Sequence, residues 1–340
     1  MRSSRTNTKD NYFKVSDFNV RNIPGNVTNL RFEEVCLEKI VLGTIPNSVK
    51  YLDFGDYFNQ PLDVGVIPSS VESLNLGKNF DQPLVVGTIP NSVTNLHLGN
   101  FDQPLVAGVI PNSVTNLSLC NFNQPLVAGV IPNSVTNLRL RNFNQPLVAG
   151  VIPDSVTHLN LGNGLEEPLV AGVIPNSVTH LDFENFDQPL VTGVIPNSVT
   201  HLHFGYCFDQ LLVTGVIPDS VTDLNCGYSF NQPLVEGVIP NSVTNLHLGN
   251  FNQPLVAGVI PDSVTHLIFG TSFNQPLIEG VIPSRVTKLR FGREFNQPFM
   301  EGVIPQSVNY LKLGFWFMFH QPPENIDALR HLLREDEYED

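Results

Sequence analysis

Histidine is the residue through which this sequence could do chemistry. Seven of its nine histidines (His97, His158, His180, His201, His203, His247 and His266) stand in a recurring motif of the form x-Leu-x-Leu or x-Leu-x-Phe, always at one of the two x positions. His158, His180 and His201 take the first x in three successive copies, and His203 takes the second x beside His201. Imidazole can bind metal, move protons or hydrogen-bond a partner. A metal ion needs ligands that converge on it, with neighbours that orient them. A flat ladder of rings about 5 Å apart does not converge. The first reading is therefore polar stacking on a surface, with partner binding second and metal last, and no metal or cofactor is assigned.

Two further columns carry oxygen ligands. An Asn or Asp follows a phenylalanine in most copies (Asn59, Asp81, Asp102, Asn123, Asp187, Asp209 and others), and a glutamine follows that. Calcium requires six to eight oxygens, and each copy supplies one. Free exchange of Asn for Asp fits a side-chain oxygen that accepts a backbone N–H within a turn. The glutamines read as a ladder securing backbone groups. The four cysteines (Cys36, Cys120, Cys207, Cys226) share no pair spacing and read as reduced thiols, not a disulfide frame or zinc site. The chain contains no phosphate-cradling glycine loop and no nucleophile elbow.

What positions these residues is a repeat. The Ile-Pro pair recurs with its proline at 24, 46, 68, 90, 111, 132, 153, 175, 196, 218, 240, 261, 283 and 305, every 21 or 22 residues. A fixed short period means a solenoid. Of 27 prolines, fourteen lie in the Ile-Pro column and eleven in a Gln-Pro-Leu-like column, which excludes ordinary helices across the array. The expected fold is an all-β solenoid, β plus irregular, of about 14 coils. Each coil holds one short parallel strand, Val-Thr-x-Leu-x-Leu/Phe, whose alternation sends two apolar side chains to one face. The return leg, Leu-Val-Ala-Gly-Val-Ile-Pro, is expected to be extended and close to polyproline II, bent sharply at its glycine (Gly108, Gly129, Gly150).

The pattern Val-x-x-Leu-x-Leu followed by Phe-Asn resembles the leucine-rich repeat. The full unit, Ile-Pro-x-Ser-Val-Thr-x-Leu-x-Leu-Gly-x-Phe-Asn-Gln-Pro-Leu, is closer to the FNIP repeat, found in social amoebae and giant DNA viruses, and the resemblance covers about residues 22–314. It implies a leucine-rich-repeat-like fold and an interaction module. Many FNIP-repeat proteins look like F-box proteins at the N-terminus, and residues 1–21 are too few here for such a domain. Copy seven departs from the unit with Gly164-Leu165-Glu166-Glu167-Pro168, and copy nine has Leu211 in place of proline.

The ends differ from the array. Residues 1–21 form an N-terminal arm, which could add an edge strand over the first coil. Residues 315–340 are expected to cap the last coil with Phe315–Phe319, a small helix carrying Ile326, Leu329, Leu332 and Leu333, and an acidic tail. An elongated monomer is expected, rising ~5 Å per coil over roughly 65–70 Å.

Net charge is −14, and the repeats show no cluster of lysines or arginines in the sequence. Nucleic acid and anionic membrane are accordingly not expected partners. No apolar run reaches spanning length and no signal core follows Met1, so a cytoplasmic location is expected. The leading function is a non-enzymatic scaffold that binds a protein on the concave, parallel-strand face. The alternatives are a carbohydrate-active or metal-dependent β-solenoid enzyme, or a purely structural rod. The core leucine recurs in all fourteen copies while the outward positions vary, as a recognition surface would. The candidate site is Asn137, Arg139, His158, Asn160, His180, Asp182, His201 and His203, where the outward residues change character most. Solvent-facing imidazoles would make binding there change between about pH 5.5 and 7.5.

Overall fold

The computed structural model describes residues 12–15, 23–33, 38–162, 165, 167–314, 317, 329 and 332. The chain divides into two compact units, Met1–Glu167 and Pro168–Asp340. In the first unit β1 (Phe13–Val15), β2 (Asn29–Phe32), β3 (Tyr51–Asp53), β4 (Ser73–Asn75), β5 (Asn95–Leu98), β6 (Asn116–Leu119), β7 (Asn137–Leu140) and β8 (His158–Leu161) pair in chain order, all parallel. In the second, β9 (His180–Asp182), β10 (His201–His203), β11 (Asp223–Asn225), β12 (Asn245–His247), β13 (His266–Ile268), β14 (Lys288–Arg290) and β15 (Tyr310–Lys312) do the same. The parallel solenoid read from the repeat is therefore what the chain forms, with one strand per coil.

Strands of three or four residues have no stability alone. They are held because each core leucine lies in register with the next, as Leu74 with Leu96 and Leu246 with Leu267. Along the column from Leu30 to Leu311 no core leucine is more than 2% exposed. Beside it runs a stack of phenylalanines. In the first unit Phe58, Phe80, Phe101, Phe122 and Phe143 lie near-parallel at centroid separations of 5.9–6.4 Å. In the second unit Phe208, Phe230, Phe251, Phe273 and Phe295 repeat the arrangement.

The return leg differs from the extended run that its prolines suggest. It consists largely of two tight turns. Val109 N–H bonds Val106 C=O at 3.2 Å around Gly108, whose φ of 87° is that of the third residue of a type II turn. Val114 N–H then bonds Pro111 C=O at 3.1 Å. The turns bring Val109, Ile110 and Val114 inward, each no more than 2% exposed. A hydroxyl fastens the second turn to the preceding coil, as Ser113 Oγ donates to Val93 C=O at 2.7 Å. The glycine after the strand serves another need. A Cβ at Gly77 would fall on the carbonyl oxygen of Gly55, so the neighbouring coil leaves no room for a side chain.

At the start of the array, β1 adds the edge strand, with Phe13 opposite Leu30. At the end, Phe317 is fully buried and its ring stacks on Phe295 at 6.0 Å. The carbonyl of Leu332 accepts the N–H of Leu311 at 3.1 Å, continuing the hydrogen bonding of β15. The proposed capping helix and the remaining aromatics of 315–319 lie outside the described residues, as do the acidic tail and Cys36. Among the described residues no helix is long and apolar enough to cross a membrane.

Candidate functional site

The outward face of each strand carries two side chains per coil. In the first unit Asn137 and Arg139 are exposed on β7, and His158 is exposed with Asn160 half-buried on β8. Asn137 is tied into the sheet, because its amide donates to Asn116 Oδ1, and Asn116 donates in turn to Asn95 Oδ1. Such amide ladders reinforce stacked strands. In the second unit His180 and Asp182 of β9 lie in register with His201 and His203 of β10. The rings of His180 and His201 stack at 4.2 Å, 9° from parallel, and His203 Nδ1 is 3.5 Å from Asp182 Oδ1.

The threonine before a histidine at the first outward position orients its ring. Thr200 Oγ1 lies 3.2 Å from Thr179 C=O, which can only accept, so the hydroxyl spends its one proton there. The contact of 2.9 Å between Thr200 Oγ1 and His201 Nδ1 must then be donated by the ring. The same logic holds for His158 against Thr157 and His266 against Thr265. The first outward histidines are thus oriented by the threonines before them, and the His180 and His201 rings stack. Among the described residues no three His, Cys, Asp or Glu side chains are grouped so as to hold a metal ion.

Three histidines, His97, His247 and His266, are perturbed. Burial holds His97 below the ordinary histidine range, with Asp53 opposing and Arg139 adding to the effect. Burial does the same to His247, helped by Arg290 and His203 and opposed by Asp223. His266 is lowered by burial and then by Lys288. A histidine harder to protonate folded than unfolded takes up protons on unfolding. Its penalty is absent well above the unfolded value of ~6.5 and grows as pH falls through that value toward the lower folded one. Urea midpoints should thus fall on acidification from about pH 7 to 5.5, and His247→Asn should flatten that slope. An identical slope in the variant would show that His247 does not contribute.

The oxygen ladders work differently from the turn reading. Asp102 N–H donates to Asp81 Oδ1 at 2.9 Å, and Asn123 N–H to Asp102 Oδ1 at 2.7 Å, so each side chain serves the following coil and not its own turn. The glutamines join the same oxygens: Gln103 Nε2 donates to Asp81 Oδ2 at 3.0 Å, and Gln210 Nε2 to Asp187 Oδ1 at 2.9 Å. These oxygens are occupied by donors and act as spacers between coils. Cys226 fills a core slot, fully buried, and its thiol is pushed up to about 12 by desolvation. Cys120 is half-buried and Cys207 exposed, and all three are free.

Sequence reasoning missed two surfaces. One is an aliphatic ridge on the return leg, where the residue after the buried leucine stays about 60% exposed in coil after coil (Val106, Val127 and Val148 in the first unit; Val191, Val235 and Val256 in the second). Its signal was present in the Leu-Val pair of each unit, since only one of two adjacent apolar residues can enter the core. The other is basic. The sequence has no local run of cations, but stacking sets Arg290 opposite Lys312 and Lys288 opposite Tyr310 on β14 and β15.

The FNIP Repeat profile matches residues 37–79, 80–121, 122–164, 166–207, 186–229, 208–251, 230–272, 251–293 and 273–315. No curated protein matches the chain. Among solved structures it is similar to the giant-virus protein CroV588, described as a novel circular LRR protein structure, at 38% identity and a TM-score of 0.71. That match covers 86% of this chain and 50% of CroV588, so the chain spans half the length of that protein. YopM from Yersinia enterocolitica WA-314 shares 15% identity over 86% of this chain and 69% of its own, with a TM-score of 0.37. Repeated Ile-Pro turns, a parallel strand in each coil and profile matches across the array carry one conclusion: the chain belongs to the FNIP-repeat family, with a leucine-rich-repeat-like fold.

Proposed function

We propose that the chain is a non-enzymatic scaffold that binds a protein partner on its parallel-strand face. Leucine-rich-repeat-like folds commonly serve as protein-interaction scaffolds. The observation that carries the reading here is the contrast between columns. The inward leucine is invariant and buried, while the outward positions change from coil to coil on a backbone already held by hydrogen bonds. Docking to such a surface costs little ordering entropy. Asn137, Arg139, His158 and Asn160 form the recognition set of the first unit, and His180, Asp182, His201 and His203 that of the second. With Asp182 and Asp223 among its outward residues, the β9–β11 face suits a partner bearing N–H donors.

Replacement of His158, His180, His201 and His203 by alanine tests this. His158 and His201 are exposed and His180 and His203 half-buried, all on the outward face and none in the core, so the fold should remain while capture of the partner from a lysate of the source cell falls about tenfold or more. Undiminished capture by a folded quadruple variant would place the binding surface elsewhere.

A further inference from the structure

The outward face of the second unit changes sign along the stack. On β9 and β11 it carries Asp182 and Asp223. On β13 to β15 its six outward residues are His266, Ile268, Lys288, Arg290, Tyr310 and Lys312, with three permanent cations and no carboxylate. Lys288 and Arg290 are exposed, and the other four are half-buried. None of the three cations has a carboxylate within ion-pair distance among the described residues, in a chain of net charge −14. Three neighbouring cations with no ion pair among the described residues give this face a sign opposite to the net charge of the chain.

The spacing suits one kind of ligand. Lys288 and Arg290 stand two residues apart on one strand, and Arg290 faces Lys312 across to the next. An extended peptide repeats its side chains on one face every two residues, about 6.6 Å, which is the Lys288–Arg290 interval. Ile268 and Tyr310 add apolar area and a hydroxyl on the same face. A nucleic acid fits less well, because three cations are a small footprint and the remaining charge repels a long polyanion.

We propose that the outward face of β13–β15 binds an extended acidic segment of a protein partner lying along β14, one carboxylate paired with Lys288 and the next one on the same face shared by Arg290 and Lys312. The proposal rests on the strand-face reading and names the chemistry of one partner segment. Its test needs no partner in hand, so the two readings can fail separately.

The probe is a dye-labelled octapeptide of alternating glutamate and serine, titrated into the full chain and followed by fluorescence anisotropy. Saturable binding is expected. It should weaken about tenfold or more in the Lys288→Ser/Arg290→Ser/Lys312→Ser variant and in about 0.5 M salt. The peptide with glutamine for glutamate should not bind, and Lys50→Ser, in the first unit, should change nothing. Circular dichroism and the urea midpoint check that the triple variant is folded. No binding of the glutamate peptide, or equal binding by the triple variant, overturns the proposal. So does tighter binding of an oligonucleotide of equal charge, or of vesicles of phosphatidylserine. Binding that appears only after residues 335–340 are deleted also overturns it, by making the chain's own acidic stretch the occupant.

Discussion

Phe230→Ala is expected to cost about 3–5 kcal/mol, a large part of the ~5–15 kcal/mol that holds a domain folded. The ring is fully buried, 6.2 Å from Phe208 on one side and 6.3 Å from Phe251 on the other. Its removal leaves a slot between two rings that the turns and the strand ladder hold apart, so the coil cannot collapse to fill it. Because each coil contacts only its neighbours, the loss falls on three consecutive coils and should also broaden the urea transition. Phe230→Leu should lose roughly half as much, since leucine keeps most of the volume. The chain contains that substitution already, at Leu165, 9% exposed in the corresponding place. Val256→Ser, on the exposed ridge one coil further on, should stay within ~0.5 kcal/mol. A Phe230→Ala midpoint close to that of Val256→Ser would contradict the ring stack as the main support of the core.

Truncation after Gly314 is expected to cause aggregation. Phe317 covers the last ring of the stack, and burying such a side chain contributes about 1.5–3 kcal/mol. Without it Phe295 and Phe299, both in contact with Phe317, meet water. The N–H of Leu311 also loses the Leu332 carbonyl, opening a parallel edge to pairing with another chain. Removal of residues 335–340 alone should leave solubility and the thermal midpoint unchanged. A long truncation as soluble and heat-resistant as the full chain would contradict the capping role of Phe317 and Leu332.

The repeat unit made the fold legible because solenoid contacts are periodic. Leu96 meets Leu117 for the same reason that it meets Leu74, so one coil read correctly gives the others. Contacts between coils were harder to read. The Asp81 carboxylate looked like a turn acceptor because a local partner is the usual one, yet the N–H it accepts belongs to Asp102, 21 residues on. The basic strip was invisible for the same reason, since Arg290 and Lys312 are 22 residues apart in the chain and adjacent in the sheet. The bend of the return leg at its glycine was legible, but the second turn, closed by Val114 N–H on Pro111 C=O, was hidden by its proline, which is as compatible with a turn as with extended chain. Of the candidate site, the outward placement of all eight residues followed from alternation. The tie of Asn137 into an amide ladder and the contact of the His201 ring with Thr200 depend on neighbouring coils, about 21 residues away in the chain.

The central proposal is that recognition uses the strand face. It is tested by capture of partners with three folded proteins: the parent, the strand-face variant lacking His158, His180, His201 and His203, and a ridge variant with Val106, Val127, Val191 and Val235 changed to serine. The account predicts that the parent and the ridge variant retain the same protein and the strand-face variant does not. Loss of that protein with the ridge variant and its retention by the strand-face variant would contradict it.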